Sequence, residues 1–226
     1  MNRKFFLVFV ALCGMVAGMM TACSETDDEP VEYANWQERN IAYFDSIYNE
    51  AIANKDGKWD TIRAVSLNDT LPRLDKFRYI VVHNEGGEGC PVNRFDVKNR
   101  PKHSDSVMVY NMGRMLPSRS YPRGYVIEKS WDGDFDDFNP ATARAKKWAV
   151  SSLIDGYSTA LQYMHVGDRW RIYVPYTLAY LDADYNSIPA YSTLVWDVTL
   201  LGYYRPGATI PNTDAKKNNQ NLWVTE

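Results

Sequence analysis

Trp36, Asn40, Ile41, Phe44, Ile47, Tyr48, Ala51 and Ile52 recur at steps of three and four. That spacing gathers side chains on one face and predicts a helix over residues 36–54. Asn35 stands at the N-cap position, Glu38 at the capping-box position, and Gly57 supplies a stop. The apolar stripe is wider than a free surface helix carries, so the helix should pack on a domain. Dimerisation is the other use of such a face.

From about residue 60 the period changes to two. Trp59–Leu67 is a weak strand and Tyr79–His83 a short apolar one. Val107, Val109 and Asn111 alternate with Met108, Tyr110 and Met112. Trp170, Ile172 and Val174 alternate with Arg169, Arg171 and Tyr173. Leu194, Trp196, Val198 and Leu200 alternate with Val195, Asp197, Thr199 and Leu201. Large residues on one side of each strand predict a half-buried antiparallel sheet. One short helix interrupts the strands, with Tyr157, Ala160, Leu161 and Met164 on its buried face and Val166-Gly167 at its end. Several strands around one short helix make an α+β domain.

The N-terminus has a different character. Arg3 and Lys4 precede an uncharged apolar run, Phe5 to Met20, and then Met20-Thr21-Ala22-Cys23. This fits a cleaved signal peptide over residues 1–22 better than a spanning helix. The tetrapeptide resembles a bacterial lipobox, which implies lipid on Cys23 and an anchored protein; plain secretion is the alternative. Glu25, Asp27, Asp28, Glu29 and Glu32 make residues 23–33 an acidic tether too polar to bury a core. It resembles the export signal of surface lipoproteins of the Bacteroides group, with a periplasmic spacer as the plainer reading. The localisation implied is the cell envelope, lipid-anchored at the outer membrane.

The whole chain of 226 residues carries a formal charge of −3, which gives no electrostatic footprint for nucleic acid. Three cysteines without a C-x-x-C pair exclude a disulfide framework and a cysteine zinc site. Cys90 has no nearby histidine in a nucleophile pattern. His83, His103 and His165 are scattered without metal-ligand spacing. Asp132, Asp134, Asp136 and Asp137 lack the spacing and final Glu of a calcium loop. Nothing marks a carboxylate pair for glycoside hydrolysis. What remains is aromatic supply, with 7 Trp, 16 Tyr and 8 Phe.

A subset of those aromatics falls in a recognisable order. Ile188-Pro189-Ala190-Tyr191-Ser192-Thr193-Leu194-Val195-Trp196-Asp197-Val198-Thr199-Leu200-Leu201 resembles the last strand of FKBP-type peptidyl-prolyl isomerases. Gly167 to Pro175, followed by Leu178-Ala179-Tyr180, is similar to that family's Gly…Ile-Pro-x-x-Leu-Ala-Tyr-Gly run, with Leu181 replacing the final Gly. Leu153-Ile154-Asp155-Gly156-Tyr157 resembles the turn opening its central helix. Val107 to Gly113 and Gly124 to Ser130 resemble two further strands. The fold implied is an FKBP-like antiparallel curved sheet wrapped around one short helix. An N-terminal helix and extension would cover 34–76, the domain 77–204 and a C-terminal tail 205–226.

The resemblance also implies a site. Tyr180 matches the tyrosine that hydrogen-bonds a bound peptide, Trp196 the aromatic strand position, and Tyr157 the pocket-floor tryptophan. Leu153 and Ile154 match the aliphatic pair whose second backbone N–H receives a carbonyl. Ile127 and Glu128 sit where the family has Phe and Asp; a second register would put Phe135-Asp136 there. Trp148, Asn111, Tyr110 and Ile188 complete the binding set. Two insertions, 117–122 and 131–147, are expected to border the pocket. The activity implied is prolyl cis–trans isomerisation of proline-containing polypeptides, without metal or cofactor. An inactive peptide-binding module on the same fold is the alternative, and a carbohydrate-handling accessory a third. Oligomeric state is left open.

Overall fold

The computed structural model describes residues 31–67, 75–87, 89–93, 96 and 98–206. Cys23, most of the acidic tether and most of the C-terminal tail lie outside them. Helix α1 spans Trp36–Ala53 and α2 spans Asp155–Leu161. The strands are β1 (Trp59–Arg63), β2 (Tyr79–Asn84), β3 (Ser106–Arg114), β4 (Val126–Lys129), β5 (Lys146–Ala149), β6 (Arg169–Val174) and β7 (Leu194–Tyr204). They form one antiparallel sheet in the order β1-β2-β6-β7-β3-β4, with β5 also paired to β3. The sheet therefore begins within the segment read as an extension, because β1 pairs along its whole length with β2.

The concave face closes over α2. Ile62, Ile80, Val82, Leu161, Met164, Trp170 and Ile172 pack there as one cluster. All of Gly156–Leu161 is buried, so α2 is enclosed on every side rather than on one face. Gly156 permits this: a Cβ there would stand 2.3 Å from Val174 Cγ1.

The sheet is not half-buried. Phe44, Ala51, Trp59, Val81, Tyr173 and Val195 form a second cluster on its other face, beneath α1. That is why β7 is buried along nearly its whole length despite its period-two sequence. Polar pairing fixes the dock. Trp36 Nε1 donates to Ser192 Oγ at 2.9 Å, and the Thr193 N–H donates to Asn40 Oδ1 at 2.7 Å. α1 is thus an integral layer of the fold.

Its ends differ from the sequence reading. Asn35 is left-handed (φ 50°) and makes no side-chain cap; the entry is held instead by Trp36, whose ring meets Tyr33 at 4.9 Å. The stop falls at left-handed Asn54, whose N–H bonds back to Glu50, and precedes Gly57. Ile52, counted in the stripe, is exposed.

Candidate functional site

Where α2 meets β7 and β3, the concave face leaves a cleft of about 300 Å3. That is near the lower bound for small-ligand sites. Its deepest residues come from the sheet and the helix. Trp196 on β7 and Tyr157 on α2 meet edge-to-face, with centroids 5.0 Å apart. Asn111 on β3 is also buried.

The placement of Trp196 follows from strand register. Glu128, Gly113, Trp196 and Ile172 form one row across β4, β3, β7 and β6. A Cβ at Gly113 would lie 2.3–2.6 Å from three carbons of the Trp196 ring. The missing side chain is therefore what lets the indole lie across the sheet. A register shift beside Gly113 sets Ile127 between the paired positions of β4.

The rim is half-buried. Trp148 comes from β5, Leu153 and Ile154 from the turn into α2, Ile127 and Glu128 from β4, and Tyr180 from the segment after β6. The Ile154 N–H has no acceptor among the described residues. Tyr180 stacks on Tyr185, centroids 4.3 Å apart and planes 7° apart. Its hydroxyl bonds to no other described residue.

The polar inventory is sparse and mostly held. Asn111 Oδ1 accepts from Ser130 Oγ at 3.2 Å. Glu128 pairs with Lys146 at 3.0 Å. Trp148 Nε1, Trp196 Nε1 and the Tyr157 hydroxyl are buried without a hydrogen-bond partner among the described residues. Burial pushes the Tyr157 phenol well above the ordinary tyrosine value; the Asn111 amide opposes this without closing a hydrogen bond of normal geometry, and the Glu128 charge adds to it. Burial also raises Tyr180, with Tyr185 contributing. Both hydroxyls stay protonated at neutral pH and remain donors. Among the described residues no cluster of His, Cys, Asp or Glu could hold a metal ion.

Of the residues proposed from sequence, the structure brings together Tyr180, Trp196, Tyr157, Ile154, Leu153, Ile127, Glu128, Trp148 and Asn111. Tyr110 is not among them. It projects to the opposite face, where it meets Phe138 at 5.6 Å, because neighbours of Asn111 on a strand point the other way. Ile188 is also absent: it is buried at the far side of the hairpin it closes with Tyr185, where it lines a neighbouring hollow instead. The second register fails on the same ground, since Phe135 lies on the convex face between Arg171 (4.8 Å) and Arg114 (5.4 Å).

The 131–147 insertion thus does not cover the cleft along its length. Its first half straps the convex face. Arg169 holds buried Asp197 through two bonds of 2.9 and 3.0 Å, donates to Phe135 O, and faces Phe138 at 4.6 Å. The 117–122 insertion is tied to the N-terminal segment through Glu32 and Arg39.

Sequence reasoning missed Tyr185 and Ser152 in the cleft lining. An aromatic shortly after the Leu178-Ala179-Tyr180 run was the available signal for Tyr185. Ser152 carried none.

The sequence profile of the FKBP-type peptidyl-prolyl cis-trans isomerases matches residues 98–201. The chain is 26% identical over 208 residues to the FKBP-type peptidyl-prolyl cis-trans isomerase FkpA of Aeromonas hydrophila, covering 92% of this chain and 68% of that protein. It is 31% identical over 102 residues to the FKBP-type 22 kDa peptidyl-prolyl cis-trans isomerase of Escherichia coli K12, covering 45% of this chain and 42% of the relative. Among solved structures, FkpA from Escherichia coli aligns at 20% identity over 90% of this chain and 73% of its own, with a TM-score of 0.47. A peptidyl-prolyl cis-trans isomerase from Pseudomonas syringae aligns at 18% identity over 75% and 96%, with a TM-score of 0.48.

Proposed function

The chain carries a domain of the FKBP-type peptidyl-prolyl cis-trans isomerase family over residues 98–201, and from that premise we propose that it isomerises X-Pro bonds in polypeptides at the cell envelope. The observation that carries this reading is the convergence of Tyr157, Trp196, Trp148, Tyr180 and Ile154 on one cleft.

An X-Pro bond turns over slowly because amide resonance sets a barrier of ~18–20 kcal/mol. Lowering it requires neither nucleophile nor metal. The apolar walls favour the twisted amide, whose resonance and polarity are reduced, over the planar one. Tyr157 and Trp196 hold the proline ring, while the Ile154 N–H and the Tyr180 hydroxyl take flanking carbonyls. This is preferential binding of the transition state, and each ~1.4 kcal/mol of preference gives tenfold in rate.

Two observations favour a second reading, a peptide-binding module with little catalysis. The Glu128 carboxylate is engaged by Lys146, and Ile127 offers no aromatic edge. An isomerisation assay on Pro-peptides with the purified full chain separates the two. A rate above background that Trp196→Ala abolishes supports the isomerase. Peptide binding without rate supports the module.

The same reading has the chain held at the outer membrane by lipid on Cys23, supported by the N-terminal pattern alone. Incorporation of labelled fatty acid, lost in Cys23→Ala, is the expected result; labelling that survives the substitution refutes it.

A further inference from the structure

A second hollow, about 530 Å3, lies beside the cleft. Tyr33, Tyr121 and Tyr125 line it together with Glu32, Asp184 and Asn186. Glu32 and Tyr33 come from the segment ahead of α1 and Tyr121 from the 117–122 insertion, all outside the family pattern quoted above, whereas Tyr125 and the lining Ile188 and Pro189 fall within it.

The notch is aromatic and acidic. Glu32 accepts from the Ser118 hydroxyl at 2.5 Å and from the Ser120 N–H and hydroxyl at 2.9 and 2.7 Å. These bonds, aided by the charge of Arg119, hold its carboxyl below the usual range. Asp184 Oδ1 accepts from the Ala190 N–H at 2.8 Å, and its Oδ2 has no partner among the described residues. No lysine or arginine is among the residues lining the notch, although the charge of Arg119 reaches Glu32 from outside it. Tyr121 is 41% exposed and meets Tyr125 edge-on at 5.1 Å, so π-faces are open to a visitor.

The two hollows share a wall. Tyr185 and Ile188 close a tight hairpin through two backbone bonds of 2.9 Å. Tyr185 lines the cleft, while Asp184 and Asn186, its neighbours in sequence, line the notch. One hairpin therefore carries residues of both hollows side by side.

We propose that this notch is a subsite for the same polypeptide and takes a lysine or arginine side chain flanking the proline. The inference rests on the isomerase reading for its continuity with the cleft. The chemistry is a cation over tyrosine faces, with ionised carboxylates at the edge. Such contacts at a partly exposed site give a preference of about five- to tenfold.

The test is fluorescence anisotropy with Pro-peptides carrying a single lysine at successive positions on either side of the proline, each against its alanine counterpart. At one position the lysine peptide should bind about five- to tenfold tighter, and added salt should shrink the gap. The double variant Asp184→Asn/Tyr121→Ala should erase the gap and leave alanine peptides unchanged. Trp196→Ala should weaken both peptides alike. Equal affinities at every position, or a preference that persists in the double variant, overturns the proposal. So does a lysine preference that survives replacement of the proline by alanine, since the notch would then be independent of the cleft. Lysine preference without any isomerisation supports the subsite and sinks only the catalytic reading.

Discussion

Replacing Gly113 by alanine tests the geometry on which the cleft depends. The new methyl would stand 2.3 Å from Trp196 Cζ3, 2.4 Å from Cε3 and 2.6 Å from Cη2. Real contacts do not approach so closely, so the indole or the strand must move. The indole has little freedom: it is 8% exposed and packs on Tyr157, itself 2% exposed. Overpacking of this kind costs about 1–3 kcal/mol. At about 2–4 °C per kcal/mol for a domain of this size, Tm should fall by several degrees. The larger effect should be on rate. An indole pushed off the sheet enters a cleft of only about 300 Å3. Loss of about 1.4 kcal/mol of transition-state preference would cut kcat/KM tenfold. Thermal unfolding and a Pro-peptide assay measure the two effects. Gly87→Ala is the control, because its methyl would meet only Asn84 Nδ2 at 3.8 Å. Gly113→Ala/Trp196→Phe should recover part of the lost stability, since the smaller ring leaves room for the methyl. Unchanged Tm and kcat/KM in Gly113→Ala would refute both the placement of the indole and its role.

Tyr180→Phe removes a hydroxyl with no internal partner but keeps the ring that stacks on Tyr185; kcat/KM should fall about three- to tenfold with Tm unchanged, and an equal loss of Tm would make the residue structural. Arg169→Met removes two of the bonds to an Asp197 that is 0% exposed and leaves it the Arg171 contact at 3.1 Å, so equilibrium denaturation should show a loss of about 1–3 kcal/mol. Isomerisation should stay flat between about pH 6 and pH 8, because burial raises the Tyr157 and Tyr180 phenols away from that window; a bell-shaped profile would point to a titrating catalyst. Glu32 is lowered by its serine hydrogen bonds, so its clasp on the 117–122 loop is fully present above the ordinary glutamate value and fades as pH falls through the lowered one. Hydrogen exchange at the Ser120 amide should therefore be protected at pH 7 and lose protection in acid, and a pH-independent amide would contradict the clasp.

Much of the cleft was readable before any coordinates, because its parts sit in strong local patterns. Trp196 and Tyr180 lie in long runs that resemble a family. Leu153 to Tyr157 opens a helix whose end is marked by Val166-Gly167. Period two on β3 also separates Asn111 from Tyr110 without a structure. Including Tyr110 in the binding set went against that alternation, and the structure sides with the alternation. Tyr185 had only a weak signal, its closeness in sequence to Tyr180. It lies in an exposed stretch with no periodicity, and only the hairpin brings it onto Tyr180.

The sequence by itself determined the elements and their faces, since steps of two, three and four residues are consequences of local backbone geometry. It could not say that both faces of the sheet are covered. That depends on α1 returning across more than a hundred residues to dock on Ser192 and Thr193. Nor could it say that the 131–147 insertion begins by strapping the convex face, because that is decided by Arg169 and Arg171 meeting Phe138 and Phe135. Contacts between residues far apart in sequence leave no period behind them. Which hollow each tyrosine lines was therefore settled only when the sheet closed around α2.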